Sequence, residues 1–239
     1  MAETELWLVE LDKAAAALEA LEATTPRLSS DIRRRLEAMR DDTARRERRL
    51  SHIALRILLE AALGPAVRGQ PFSLSPSGKP SLPGNDLSFS LAHTKGLAAI
   101  AVGRSGPIGV DIERLRPVRV PQARRGPIEA EAMILASGEP LSAADPDARF
   151  LTAWVRLEAA AKAHGSGVGP LLERLRPGVV AKSNPYVAGP HLVVRDVPIQ
   201  AGVFAAVAFV PEVSMPALRL LPETAQAIVA LLEASNVSR

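Results

Sequence analysis

The stretch PIGVDIE, residues 107–113, limits what this chain can fold into more than any other. Successive side chains of a strand point to opposite faces, so Val110 and Ile112 share one side and Asp111 and Glu113 the other. The apolar side demands a covered sheet. The acidic side places two like charges next to each other over a buried layer, which raises the cost of ionising both. A hard, oxygen-seeking cation such as Mg²⁺ on that face relieves the repulsion. An edge strand with a solvated acidic face is the alternative, and the stretch alone leaves both open.

Around it the chain reads as mixed α and β. Residues 5–11 (ELWLVEL) suit a first strand and the alanine-rich 13–23 a helix, with a second helix starting at Ser29 or Ser30 and running to Arg40. Residues 44–63 form the most strongly helical segment: Leu50, Ile53, Ile57 and Leu58 make an apolar stripe, and Gly64–Pro65 ends it. Its first turns carry Arg45, Arg46, Arg48 and Arg49, and Arg33–Arg35 make an earlier basic cluster. Such clusters on a chain of net charge +3 indicate a local anion site and not a general polycation.

Residues 68–85 are rich in Gly, Pro and Ser and predict a loop or hairpin, followed by paired strands over 87–91 and 97–102 around the turn HTKG. The glycines of GRSGPIG at 103–109 are not followed by a helix, so they do not form a dinucleotide loop. Residues 115–127 are basic and proline-containing and read as a connection, and 129–136 as a short helix. A second strong helix covers 145–163: Asp145 leads, Pro146 sits just inside, Phe150, Trp154, Leu157 and Ala161 form the core stripe, and Gly165 closes it. Strands at 191–197 and 202–210 and a helix at 223–235 complete the chain. Each half holds a long helix and a hairpin-like strand pair, which predicts an α+β fold of two similar lobes, residues 1–105 and 106–239.

Composition removes several classes of chemistry. With no cysteine there is no thiolate nucleophile, thiolate metal site or disulfide, and none of the four histidines is paired at zinc-ligand spacing. The opening MAETELWLVELDK is acidic where a secretory leader needs a basic flank, and no uncharged apolar run approaches the length of a membrane span, so a cytoplasmic protein without a membrane partner is expected. Aromatic residues at 3% argue against nucleic acid, whose single strands are bound by stacking.

On the 145–163 helix, Glu158 and Lys162 are four apart and present an acid and a base on one face. Four signals then stand in order: GKPSL at 78–82, FSLAHT at 89–94, GVDIE at 109–113 and WVRLEAAAKA at 154–163. Together they resemble the 4′-phosphopantetheinyl transferases of the Sfp type. The resemblance implies a two-lobed fold with the site in the cleft between the lobes, coenzyme A as co-substrate, and transfer of phosphopantetheine to a serine of an apo carrier protein of fatty acid, polyketide or non-ribosomal peptide synthesis. It further implies Mg²⁺ held by Asp111 and Glu113, with Glu158 as general base or metal ligand and Lys162 on the phosphate side. Lys79 and Pro80 of the GKP loop and His93 would bind the coenzyme, chiefly its 3′-phosphate, with help from Arg45, Arg46 and Arg48. Glu131 is the candidate for a third acidic metal ligand, with Glu129 its rival. Leu157, Ala92 and Ser90 depart from the family pattern, which commonly has lysine, serine and asparagine there. Two other readings compete: a non-catalytic module of the same fold that binds an acidic partner through its arginines, and a different Mg²⁺-dependent pyrophosphate-cleaving enzyme. A chain already holding two lobes is expected to be a monomer.

Overall fold

The computed structural model describes residues 4–141, 143–176 and 191–237. Two antiparallel-rich sheets stack face to face. In the first, β1 (Thr4–Glu10) pairs antiparallel with β5 (Leu97–Gly103), and β5 pairs antiparallel with β4 (Ser88–Thr94). On its other edge β1 pairs parallel with β9 (Leu218–Leu220). The second sheet has the order β6 (Gly109–Arg114), β8 (Val203–Phe209), β7 (Val193–Asp196), all antiparallel.

The apolar pattern dictates this stacking. Every residue of β5 is buried, as a strand covered on both faces requires. Ala98, Ile100 and Val102 face a layer made by α1 (Leu11–Thr24), α3 (Asp42–Leu63) and α7 (Ala225–Val237). Ala99 and Ala101 face the other way and meet Val110 and Ile112 of β6 with Val207 and Phe209 of β8. The outer face of the second sheet is covered by α5 (Pro146–His164) through alanines: Ala159, Ala160 and Ala163 lie on Ala206 and Ala208. Further out, α4 (Gln122–Leu135) packs on α5 around Phe150, Leu157 and Leu171, the last from the short α6 (Gly169–Arg174). The fold is α+β, as the sequence predicts. After the second sheet the chain returns to the first, where Leu221 donates its N–H to Leu8 O at 2.9 Å and α7 closes the helical layer.

Capping follows the sequence at the two long helices. Asp41 accepts from Ala44 N at 2.9 Å and Asp145 from Asp147 N at 2.8 Å, while Gly165, at φ +74°, closes α5 in the left-handed region. Two expectations are corrected, and two short elements are new. β4 runs through His93 and Thr94, so the hairpin turn shrinks to Lys95–Gly96, with Gly96 at φ +74°. The connection expected over 115–127 ends early, because α4 begins at Gln122 and carries Pro127 within it, a residue that normally bars a helix interior. β9 and α6, three and six residues long, are too short to show periodicity. Among the described residues no helix is long and apolar enough to cross a membrane.

Candidate active site

One glycine sets the geometry. Gly109 begins β6 directly beneath α5, so close that a Cβ there would stand 2.0 Å from Ala159 O and 2.5 Å from Ala163 N. Both obstacles are helix backbone, and neither can step aside. Only glycine lets α5 lie this near the strand, and the approach delivers Glu158 and Lys162 to the acidic face of β6. Lys162 Nζ meets Asp111 Oδ1 at 2.6 Å and donates to Val110 O at 3.2 Å. From the first sheet, the buried Ser90 hydroxyl accepts the Val110 N–H at 3.0 Å, and Arg114 Nε donates to Lys95 O at 2.6 Å. Those two bonds lock β6 beside β4, and with it Asp111 beside the strand that carries His93. Ser90, a departure from the family pattern, thus serves as the brace between the sheets.

The electrostatics are those of crowded carboxylates. Asp111 is only 7% exposed, and burial pushes its carboxyl up to about 6, against the pull of Lys162 and with a further push from Glu158 and Glu113. Burial also raises Glu158, again opposed by Lys162 and aided by Glu113. Glu113 is half-buried and joined to Arg116 at 3.1 Å. An all-oxygen donor set of adjacent carboxylates suits a hard divalent cation. Even so, among the described residues no three acidic or histidine side chains gather closely enough to hold a metal ion. The Lys162 ammonium is the cation that Asp111 now faces.

A cavity of about 700 Å³ opens from the Asp111–Lys162 pair. It runs between α3, α2 (Ser30–Glu37), β4, the end of α5 and a hairpin made of β2 (Ser73–Leu74) and β3 (Pro80–Ser81). Of the residues that the sequence singles out, Arg48, Lys79, Pro80, His93, Asp111 and Lys162 line it. Lys79 reaches across the hairpin to the last turn of α5, donating to Ala163 O at 2.6 Å, with its stem against Gly165. Burial pushes its ammonium down to about 8. His93 is likewise lowered, first by burial and then by Arg48, with Lys162 adding to it and Glu47 opposing. Glu47 fixes the His93 hairpin by accepting the Gly96 N–H at 3.0 Å.

Other predicted residues lie elsewhere. Arg45 pairs with Asp42 at 2.6 Å and Arg46 with Glu19 at 3.3 Å, so both are used within the helical layer. Glu131 pairs with Arg174 at 2.6 Å and Glu129 with Arg149, both beside α4 and away from the cavity. Glu113 and Glu158 stand next to the Asp111–Lys162 pair without lining the cavity. Leu157 is fully buried between α4 and α5, so its side chain faces the core. Arg156, also fully buried, grips Asp196 of β7 with two bonds of 2.7 Å and has a purely structural place.

Two cavity residues escaped the sequence reading, Arg35 and His52. Arg35 belongs to a cluster that the sequence does show, but three consecutive arginines give no sign of which one turns inward. His52 was legible in principle: it lies four residues after Arg48 and therefore on the same helix face.

No family model matches the chain. A curated relative, the 4′-phosphopantetheinyl transferase HetI of Nostoc sp., is 32% identical over 177 residues, 72% of this chain and 72% of its own length.

Proposed function

Since the chain belongs to the 4′-phosphopantetheinyl transferase family, we propose that it moves phosphopantetheine from coenzyme A to a serine of an apo carrier protein in the cavity that joins its two sheets. The observation that carries this reading is the continuity of one concave surface, with Arg48, His93 and Lys79 along it and the Asp111–Lys162 pair at its end. Cations and a carboxylate–lysine pair are what a substrate with a phosphate at one end and a diphosphate at the other requires.

In this reading the 3′-phosphate of coenzyme A sits against His93, Arg48 and Lys79, and its diphosphate lies at Lys162. The serine oxygen attacks the phosphorus that carries the pantetheine arm. A new O–P bond forms, the bond to the bridging oxygen breaks, and adenosine 3′,5′-bisphosphate leaves. Glu158 takes the serine proton, and its raised proton affinity moves it toward the range where a carboxylate is an effective base. Lys162, four residues on, stabilises the negative charge that builds on the leaving phosphate. Asp111, Glu113 and Glu158, which do not stand at metal-binding distance from one another in this structure, are the oxygen donors that would hold Mg²⁺, and a bound ion would neutralise diphosphate charge. Lys162, paired with Asp111 in this structure, would have to release it to reach the phosphate.

Intact-mass analysis of an apo acyl carrier protein incubated with this chain, coenzyme A and Mg²⁺ tests the proposal. The reading predicts a phosphopantetheine adduct on the carrier. Nucleotide release without an adduct would assign a hydrolytic diphosphate-cleaving reaction instead, and binding without either product a non-catalytic role.

A further inference from the structure

β4 and β6 are edge strands of different sheets, and among the described residues no backbone hydrogen bond joins them. Only side chains set their spacing, yet His93 stands on one and Asp111 and Glu113 on the other. Two ties bridge the gap. Ser90 Oγ accepts the Val110 N–H, and further along both strands Lys95 O accepts from Arg114 Nε at 2.6 Å. The strands therefore run side by side in one direction, and His93, Asp111 and Glu113 all fall between the two ties. The second tie sits on a turn that is anchored from every side. Gly96 O accepts from Leu11 N at 2.9 Å, where β1 passes into α1, and the Gly96 N–H donates to Glu47 of α3 at 3.0 Å. A Cβ at Gly96 would stand 3.4 Å from Asp12 Oδ2 and 3.8 Å from Arg114 Nη2, so a carboxylate and a guanidinium close over the turn as well. A hairpin's own ladder holds its two strands together; contacts from α1, α3 and β6 fix where its tip lies in the molecule.

We propose that Arg114 and Glu47 are positioning residues that act through the Lys95–Gly96 turn: Arg114 sets the spacing of β4 and β6, and with it His93 against Asp111, while Glu47 sets the turn against α3. The assignment rests on the reading of the cavity as the transfer site and goes beyond it, since neither side chain lines that cavity. The two residues carry different parts of the task. Arg114 spans the sheets, so without it the carboxylate strand shifts against the wall that holds the coenzyme, and turnover suffers more than binding. A displacement of about 1 Å in a reacting group can cost a hundredfold in rate. Glu47 belongs to that wall, so without it the turn loosens from α3 and binding suffers first.

Steady-state transfer to an apo acyl carrier protein and calorimetry with coenzyme A test this on the whole chain. The variants are Arg114→Ala, Arg114→Lys, Glu47→Ala and Glu47→Gln, with urea unfolding recorded for each. Arg114→Ala should lower kcat by about tenfold to a hundredfold with coenzyme A affinity nearly unchanged. Arg114→Lys, which keeps a donor for Lys95 O, should recover most of that loss. Glu47→Ala should weaken coenzyme A binding several-fold. Glu47→Gln keeps the oxygen that accepts the Gly96 N–H and loses only the charge, so it should bind at least as well as wild type. A purely structural pair would move the urea midpoint and leave kcat and affinity at wild-type values. That result, or a loss that lysine and glutamine do not restore, would overturn the assignment. If Arg114→Ala does not fold, Arg114→Met, which keeps the stem and drops the donors, takes its place beside the Glu47 pair. If wild type modifies the carrier and all four variants match it, this inference fails alone; if wild type yields no adduct, the functional reading falls and takes the inference with it.

Discussion

The two ends of the cavity are built in opposite ways. At the acidic end, β6, α5 and β4 are pressed together by a glycine with no room for a methyl group and by an inter-sheet serine, and the key side chains already hold each other. At the basic end, Arg35, Arg48 and His93 come from three separate elements around open space and form no side-chain hydrogen bond or salt bridge among the described residues. On the proposed function, the contrast teaches that the end where bonds change is fixed by backbone packing before any ligand arrives. The end where, on the same reading, a ligand is recognised has cations without salt bridges among the described residues, which the ligand would complete.

The largest expected effect breaks the packed end. Gly109→Ala sets a methyl against two backbone atoms of α5, and forced overpacking of this kind costs about 1 to 3 kcal/mol or more. A lowered melting temperature together with lost carrier modification is expected; a Tm near wild type with normal transfer would show that α5 does not depend on this contact. Next, Asp111→Asn keeps the shape and removes the charge. Transfer should fall by at least about a hundredfold, the size of effect that follows from losing a charged group at a reacting phosphate, while urea unfolding stays close to wild type.

Ser90→Ala separates bracing from chemistry. It leaves the buried Val110 N–H without an acceptor, a loss of about 1 to 3 kcal/mol. Urea unfolding should record that loss with coenzyme A affinity changed far less than transfer.

The basic end is sharpened by pH. Lys79 has its ammonium pushed from an ordinary 10.5 down to about 8. The folded protein therefore gives up this proton as pH rises through 8, whereas the unfolded chain keeps it until about 10.5. In that window the unfolded state binds more protons, so Lys79 makes the free protein more stable as pH rises, and coenzyme A, which favours the charged form, binds more weakly. Calorimetry from pH 7 to 9.5 should show the affinity falling above 8 for wild type and staying flatter for Lys79→Met. The smallest effect separates neighbours on one helix. Arg48→Ala should weaken coenzyme A binding by about tenfold, as loss of a charge-assisted contact does, and Arg46→Ala, whose side chain is paired with Glu19, should leave it nearly unchanged.

What the sequence discloses follows the same division. The carboxylate strand and the 145–163 helix were readable because period and spacing are local: alternation put Asp111 with Glu113, and four-residue spacing put Glu158 with Lys162. The mixed α and β character was readable from strong helices alternating with short apolar runs. Less of the basic end could be read. Eight arginines crowd residues 33–49, and whether one faces the cavity, as Arg48 does, or a carboxylate of another helix, as Arg46 does, is decided by tertiary packing that no local pattern encodes. β9 escaped because a three-residue strand owes its existence to β1, more than 200 residues away in the chain.

The central claim is that both ends belong to one substrate, and a crystal structure of the chain with coenzyme A tests it most directly. The account predicts the 3′-phosphate against Arg48, Lys79 and His93 and the diphosphate beside Lys162, freed from Asp111. Coenzyme A bound with its diphosphate away from Lys162, or outside this cavity, would contradict it.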